Sequence, residues 1–254
     1  MTKIIAVTNQ KGGVGKTTTS VNVAYYLAKS GKKTLLIDFD PQGNATSGLG
    51  IDKSNLSRTM TEVITGQATL QSAIIQTEYK NLALAPSTPH LANTEVELAQ
   101  AEGRFIRLRR AINNLQGYYD YIIIDSPPSL SLLTVNGLIA ANYILLPVQA
   151  EFYALEGLGQ LLETMKLIRK GLNPNLDLLG VLPTMMDSRT TLSTQVYEEI
   201  KKHFPDRVFQ TTIPRNIRLA EAPSHGLPVG AYDRFSKGAR AYKALTKEII
   251  GRIG

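Results

Sequence analysis

The stretch with the clearest chemical potential is a glycine-rich run with two lysines, NQKGGVGKTT at residues 9–18. It follows the strand-like run KIIAVT and precedes a helical pattern, so its backbone N–H groups can surround a phosphate at the positive end of a helix dipole. In such a loop Lys16 reaches the β and γ phosphates, and the Thr17 hydroxyl ligates Mg²⁺. The sequence therefore predicts a site for a nucleoside triphosphate and magnesium. Its expected nucleotide contacts are Lys11, Gly12, Gly13, Val14, Gly15, Lys16, Thr17 and Thr18.

Three aspartates follow predicted strands elsewhere in the chain: Asp38 and Asp40 in DFDPQGN, and Asp125 in IIIDSPP. Because the carboxyl ends of parallel strands meet at one edge of a sheet, we expect these side chains beside the phosphate loop. Asp125 is interpreted as the carboxylate that holds Mg²⁺ through water, and Asp38 as a second acidic group near the metal. Any one of them alone could be a helix cap or a turn former, but three behind a phosphate loop favour a metal and catalytic site.

The loop departs from the common phosphate-loop pattern G-x-x-x-x-G-K-T, which has glycine where this chain has Gln10. A second lysine, Lys11, stands near the start of the loop. Because Lys16 and the loop amides already neutralise the bound nucleotide, Lys11 is available for another role. A solvated surface lysine is the alternative interpretation of Lys11.

The elements that must position these residues are indicated by apolar, β-branched runs that alternate with segments of helical period. This alternation is typical of βαβ units around a mostly parallel sheet, and the uninterrupted apolar runs indicate that both sheet faces are covered. No Ser/Gly/Pro-rich linker interrupts it, which favours one domain of residues 1–254. Strands are predicted at 3–8, 33–39, 82–85, 121–125, 143–148 and 178–183. Helices are predicted at about 16–30, 90–101, 104–115, 131–141, 154–170, 190–203 and 236–250, with only short helices between residues 48 and 80.

The charge of the chain is unevenly distributed. The 254 residues carry 28 Lys+Arg and 21 Asp+Glu, a formal net charge of +7, and residues 189–254 hold 12 of the basic and 6 of the acidic residues. A basic terminal region indicates a polyanionic partner, either nucleic acid or, less often, an anionic membrane surface.

The absence of cysteine excludes a disulfide framework, an iron–sulfur cluster and a thiolate zinc site. No signal-peptide-like or membrane-spanning run is visible, which predicts a soluble, cytoplasmic protein.

The order of motifs along the whole chain resembles that of the ParA/MinD family of deviant Walker A ATPases, and in particular of its short, chromosomal ParA members. The matching motifs are KGGVGKTT, DFDPQGNAT, YDYIIIDSPPSL, ILLPVQAEFYALEG and IPRNIRLAEAPSHGLPV. The resemblance implies a P-loop NTPase-like α/β fold with a twisted, mostly parallel sheet flanked by helices on both faces. It implies Mg-dependent hydrolysis of ATP to ADP and phosphate, in which Asp40 orients or deprotonates the attacking water. It further implies that Lys11 crosses to the nucleotide of a facing subunit, so that the ATP state is a sandwich homodimer. The adenine is expected around Pro214 and Asn216, with Met185 as a further contact.

The same resemblance implies that the arginines matching Arg189 and Arg218 belong to a surface for nonspecific double-stranded DNA, formed when two basic faces meet in the dimer. The predicted DNA contacts are Arg189, Arg215, Arg218, Arg234 and Lys237. They include no regular base-reading motif, which suits phosphate contact without sequence readout. The implied function is chromosome or plasmid segregation on the nucleoid, with a ParB-type centromere-binding partner that stimulates ATP hydrolysis. The phosphate loop begins at Lys11, so we expect no N-terminal helix-turn-helix extension.

Three other classes of protein are weighed against this interpretation. A MinD-like membrane-associated positioning ATPase needs a C-terminal amphipathic helix with bulky apolar residues, yet this chain ends in KALTKEIIGRIG, and the sequence predicts no membrane partner. A metabolic P-loop enzyme such as a ligase needs a substrate pocket of its own, and the basic tail disfavours it. A reductase of the nitrogenase type is excluded by the missing cysteines.

A separate basic cluster, Arg104, Arg107, Arg109 and Arg110, is predicted to form the charged outer face of an amphipathic helix.

Overall fold

One seven-stranded sheet lies at the centre of the computed structural model, which describes residues 1–115, 117–151, 156–187 and 189–254. The strands are β1 (Lys3–Val7), β2 (Thr34–Asp38), β3 (Ile75–Gln76), β4 (Leu82–Ala85), β5 (Tyr121–Asp125), β6 (Tyr143–Gln149) and β7 (Asp177–Thr184). Their order in the sheet is β3-β4-β2-β5-β1-β6-β7. All neighbours are parallel except β3 and β4, so the predicted mostly parallel sheet is confirmed. The first strand lies centrally, where connections leave toward both sides and open a crevice at the carboxyl edge.

Within the described residues, twelve α-helices accompany the sheet. They are α1 (Lys16–Lys29), α2 (Asn44–Gly48), α3 (Met60–Thr65), α4 (Leu70–Ala73), α5 (His90–Leu98), α6 (Arg107–Asn113), α7 (Leu132–Ala140), α8 (Glu156–Gly171), α9 (Thr191–His203), α10 (Ile217–Glu221), α11 (Val229–Tyr232) and α12 (Lys237–Ile253). Short 3-10 helices occur at Lys53–Asn55 and Ala222–His225. No helix in the described part of the chain combines the length and apolarity needed to cross a bilayer.

Two apolar layers pack on the two faces of the sheet, as the uninterrupted apolar strands predict. Successive strand residues alternate between the layers: Ile5 and Val7 of β1 belong to one, whereas Ala6 belongs to the other. The first layer is closed by α1 and α12, and the second by α3 and α5 to α9. Because both faces are covered, the ligand must approach the sheet from its carboxyl edge.

The long elements follow the sequence prediction, and the short ones differ from it. The predicted helix 104–115 is wrong at its start, because Arg104 precedes the helix, which begins at Arg107. Its outer face is also less exposed than predicted, since Arg107 is half-buried and donates to the carbonyls of Ile64 and Thr65 (both 3.3 Å). The start of the predicted helix 154–170 lies partly outside the described residues, which resume at Glu156.

Candidate nucleotide site and basic surface

The glycine-rich loop joins β1 to α1 at the carboxyl edge of the sheet, and hydrogen bonds to neighbouring strands fix both of its ends. Asn9 Nδ2 donates to the carbonyl of Pro147 in β6 (2.7 Å), and Asn9 Oδ1 accepts from the Lys11 N–H (3.0 Å). Farther along the loop, the Thr184 hydroxyl of β7 donates to the carbonyl of Val14 (2.9 Å). The loop is therefore held in place by the protein itself, which lowers the ordering cost of ligand binding.

The backbone of the loop uses the conformational freedom of two of its glycines. Gly13 and Gly15 have φ of +75° and +88°, in the left-handed region that a side chain disfavours. Helix α1 begins at Lys16 with Gly15 as its N-cap, and no side chain among the described residues caps it. The N–H groups of its first turn, which includes Thr17 and Thr18, therefore remain available to an anion.

Lys16 folds back over the loop, where its Nζ donates to the carbonyl of Lys11 (2.9 Å). The side chain is buried, which lowers its pKa, while the negative charges of Asp125 and Asp40 oppose that shift. A desolvated ammonium gains strongly from a nearby polyanion. Lys16 can therefore exchange the Lys11 carbonyl for phosphate oxygens.

Asp125 ends β5 and is fully buried. The Ser20 hydroxyl of α1 donates to its Oδ1 (2.8 Å), whereas its Oδ2 has no hydrogen-bond partner among the described residues. Burial, together with the charge of Asp38, raises the pKa of Asp125. Because an unpaired buried carboxylate oxygen is costly, a ligand for Oδ2 is expected here.

Asp38 ends β2 and is paired with Asp125 in the register of the two strands. Its Oδ2 accepts from both the N–H and the hydroxyl of Thr46 (2.7 Å each), at the start of α2. Burial raises the pKa of Asp38, and the Thr46 hydrogen bonds oppose that shift. Asp38 therefore holds α2 in place while it adds negative charge next to Asp125.

Asp40 lies in the turn after β2 and is only 6% exposed. Its Oδ1 accepts from the Gln42 N–H (2.9 Å), and its carbonyl accepts from the Gly43 N–H (2.9 Å). The charge of Asp40 acts on both Lys16 and Asp125, so the carboxylate is within electrostatic reach of the phosphate loop. The turn thus holds a buried carboxylate whose charge is felt by Lys16 and Asp125.

The residues at this edge fit a magnesium ion. Mg²⁺ prefers hard oxygen ligands, and Thr17, Asp38 and Asp125 supply a hydroxyl and carboxylates. The unpaired Oδ2 of Asp125 is the observation that supports the fit, because a cation or its water would satisfy that oxygen. When bound, the ion neutralises charge on the β- and γ-phosphate oxygens.

A cavity of about 370 Å³ opens beside the first turn of α1. Gly15 and Thr18 form one wall, and Met185, Pro214 and Asn216, the three predicted adenine contacts, line it as well. Its volume falls in the range that protein sites use for small ligands. The structure thus brings the predicted base contacts together at the side of the phosphate loop.

The cavity offers one free acceptor for a purine, and its two walls are joined through their backbones. The Oδ1 of Asn216 is buried and has no hydrogen-bond partner among the described residues, so it can accept from the exocyclic amino group of adenine. Met185 has a φ of +53°, which is strained for a side chain of this size. The following residue, Met186, forms a backbone bridge to Pro214, which joins the two walls.

The ammonium of Lys11 is paired with a carboxylate outside its own loop. Its Nζ forms an ion pair with Glu151 Oε2 (3.0 Å) at the end of the β6 segment, and both side chains are nearly half-exposed. An exposed pair of this kind contributes little stability and can be exchanged. This placement is compatible with a contact to a second subunit, which stays a prediction.

The five predicted DNA contacts are all exposed, but two of them are paired with carboxylates. Arg189 donates to both oxygens of Asp187 (2.9 and 2.7 Å). Arg218 donates to Glu221 (2.7 Å) and lies 3.6 Å from Asp233. Any phosphate that these arginines bind must therefore compete with carboxylates. The remaining predicted contacts are Arg215, Arg234 and Lys237.

Sequence reasoning missed the residues that hold the site in place. Ser20 and Thr46 support the two strand-end aspartates, and Asn9 and Thr184 anchor the loop. Ser20 lies one helical turn after Lys16, so the helical period of α1 could have indicated that both side chains lie on the same face of the helix. The contacts of Thr46, Asn9 and Thr184 join segments that are distant in sequence, and no local pattern indicates them.

Comparison with known proteins agrees with this geometry. A family model described as an AAA domain matches residues 2–178. The sporulation initiation inhibitor protein Soj of Bacillus subtilis (strain 168) is 54% identical, and the alignment covers 98% of each chain. The chromosome partitioning protein ParA of Myxococcus xanthus is 50% identical over 98% of this chain and 88% of that protein.

Two solved structures show the same fold with nucleotide. A Mycobacterium smegmatis structure described as cobyrinic acid a,c-diamide synthase, with bound ADP and magnesium, superposes with a TM-score of 0.86 at 39% identity over 97% of this chain and 93% of that one. The septum site-determining protein MinD of Pyrococcus horikoshii, with Mg-ADP, has a TM-score of 0.80 at 26% identity over 98% and 96%.

The fold and the loop define a P-loop nucleotide-binding protein of the deviant Walker A class. Within that class, the chain belongs to the Soj/ParA family of chromosome-partitioning ATPases. The expected ligands, ATP and Mg²⁺, are confirmed at the level of the family by the nucleotide and magnesium in related structures.

Proposed function

We propose that this protein is an Mg-dependent ATPase that dimerises around ATP, binds double-stranded DNA without sequence preference, and segregates a chromosome or plasmid. A ParB-type centromere-binding protein releases it from DNA by stimulating hydrolysis. One observation carries the proposal: the walls of the nucleotide cavity continue directly into exposed arginines. Arg215, which is exposed, lines the cavity next to Asn216, and Arg218 lies two residues beyond Asn216. Arg189 comes four residues after Met185 in the sequence.

The two walls act as one unit because their backbones are hydrogen-bonded. The Met186 N–H donates to the carbonyl of Ile213 (3.0 Å), and the Arg215 N–H donates to the carbonyl of Met186 (3.1 Å). A base bound between the walls would bias the position of both arginine-bearing segments. This gives nucleotide binding a short physical route to the DNA surface.

In the proposed reaction the residues of this chain have separate tasks. Lys16 and the loop amides bind the β and γ phosphates, and Thr17 and Asp125 hold the magnesium ion, with Asp38 adding charge beside it. Asp40 orients or deprotonates the attacking water. Lys11 of each subunit exchanges Glu151 for the nucleotide of the facing subunit, which makes dimerisation depend on ATP.

The MinD-like alternative is less well supported. The apolar face of α12 is buried against the rest of the fold, with Tyr242, Leu245 and Ile249 at most 1% exposed, so this face is not available to insert into a membrane. The basic charge of the last quarter is instead compatible with DNA phosphates.

Co-sedimentation with plasmid DNA and with anionic liposomes, each with ATP, with ADP and without nucleotide, tests the proposal. We expect the protein to bind DNA only in the presence of ATP, and to be released from DNA when the DNA-bound partner is added. Binding to liposomes but not to DNA would favour the membrane alternative, and nucleotide-independent DNA binding would contradict the proposed switch.

A further inference from the structure

A lysine outside every predicted motif is hydrogen-bonded to the turn that carries Asp40. Lys53 Nζ donates to the carbonyl of Gln42 (2.9 Å), and the N–H of the same Gln42 donates to Asp40 Oδ1 (2.9 Å). The two hydrogen bonds therefore meet at one residue. Lys53 is connected to the Asp40 carboxylate through a single stretch of backbone.

The stem of Lys53 also lies against this turn. Gly43 has a φ of +62°, and a Cβ built there would be 2.8 Å from Lys53 Cδ and 2.8 Å from the Ser87 carbonyl. Lys53 and the Ser87 backbone therefore both pack closely on the side of Gly43 where a Cβ would lie. Lys53 thus contacts the turn at two adjacent residues, through its ammonium at Gln42 and through its stem at Gly43.

The position of Lys53 is itself fixed locally. It begins the 3-10 helix Lys53–Asn55, whose N-cap Asp52 accepts from the Ser54 N–H (2.9 Å), the Ser54 hydroxyl and the Asn55 amide. Among the described residues Lys53 forms no ion pair, so its ammonium is directed to the Gln42 carbonyl rather than to a carboxylate.

We infer that Lys53 is a positioning residue for ATP hydrolysis, which acts by holding the backbone of Gln42 at its carbonyl and thereby the Gln42 N–H that binds the Asp40 carboxylate. This inference rests on the proposed role of Asp40. An aspartate that acts on water must be held within a fraction of an ångström, whereas binding of ATP by the loop does not depend on the turn. Loss of Lys53 should therefore lower kcat and spare ATP affinity.

The test compares Lys53→Met, Lys53→Arg, Asp40→Ala and the Lys53→Met/Asp40→Ala double variant. Phosphate release gives kcat and KM, and equilibrium dialysis gives the Kd for Mg-ATP. We expect Lys53→Met to lower kcat about tenfold at unchanged Kd, and Lys53→Arg, which keeps a donor, to restore most of the rate. The double variant should be no slower than Asp40→Ala, because both changes act on one group. Lys80→Met removes an exposed lysine elsewhere and should leave kcat unchanged.

The outcomes separate the inference from the proposed function. A wild-type kcat in Lys53→Met, a parallel loss of ATP affinity, or no rescue by arginine overturns the positioning role while the Asp40 assignment stands. A wild-type rate in Asp40→Ala overturns the role of Asp40 and the inference with it. A melting temperature of Lys53→Met that matches wild type excludes a folding defect.

Discussion

At the scale of single residues, we expect nucleotide binding to depend most on the side chain of Lys16. Its burial beside Asp125 and Asp40 means that the ammonium is the local counter-charge for an incoming polyphosphate. Lys16→Ala should lower ATP affinity by about two orders of magnitude or more, because charge-assisted bonds to phosphate are lost in a desolvated site. Equilibrium dialysis with labelled ATP measures this. Wild-type affinity in the variant would contradict the assignment of the loop.

Asp40 should separate binding from chemistry. Because it is held by the Gln42 N–H rather than by the phosphate loop, Asp40→Ala should bind Mg-ATP normally while its kcat falls about 100-fold or more. The variant should then accumulate as an ATP-bound dimer on DNA. Asp40→Asn is the matched control, since it keeps the side-chain size and one acceptor for Gln42. Normal turnover in Asp40→Ala would transfer the water-activating role to another group.

At the scale of elements, the strands and helices that could be predicted from the sequence are the long and apolar ones. The buried parallel strands β1, β2 and β5 were evident because they are uninterrupted apolar runs, and their carboxyl ends correctly predicted where Asp38 and Asp125 would lie. The antiparallel strand β3 lies at the sheet edge and has only two residues, which are too few to show a hydrophobic period in the sequence. Helices α2 and α10 have five residues each and depend on tertiary contacts, so their sequences carry no detectable signal.

The 3-10 helix that follows α10 is held against the end of α2 by a close backbone contact. A Cβ built at Gly226 would be 2.6 Å from the Gly50 Cα, and Gly226 has a φ of +66°. Gly226→Ala should therefore lower the free energy of unfolding by about 2–4 kcal/mol, the sum of backbone strain and steric overlap. The matched control is Gly31→Ala, which has a φ of +86° and open space around it, and should cost only about 1–2 kcal/mol. Urea denaturation measures both, and equal losses would contradict the importance of the contact.

At the scale of the whole molecule, a substitution at the exposed Gly12 should test the proposed ATP-dependent dimer. A Cβ built at Gly12 meets no described atom within 4 Å, so a side chain there is sterically tolerated within one subunit. Gly12→Val should still bind ATP but fail to dimerise, because the branched side chain blocks close approach of a second loop. Light scattering in Mg-ATP checks this, with Asp40→Ala as the dimeric reference. An ATP-dependent dimer of Gly12→Val would contradict the sandwich arrangement.

The basic last quarter of the chain should act as one DNA surface, although its arginines are partly neutralised. Arg218 is paired with Glu221, and this pair is exposed, so DNA phosphates must displace or share the carboxylate. Arg218→Glu should leave ATP binding and dimerisation intact and weaken DNA binding, since each dimer carries the change twice. Wild-type affinity should fall with salt at a log-log slope of about −0.9 per phosphate neutralised, and the variant should show a shallower slope. Glu221→Gln makes the opposite change, because it removes the charge of one of the two carboxylates beside the Arg218 guanidinium, and should strengthen DNA binding at the same salt. If neither variant alters the affinity or the slope in fluorescence-anisotropy titrations, Arg218 lies outside the DNA surface and the contacts must be sought around Arg234 and Lys237.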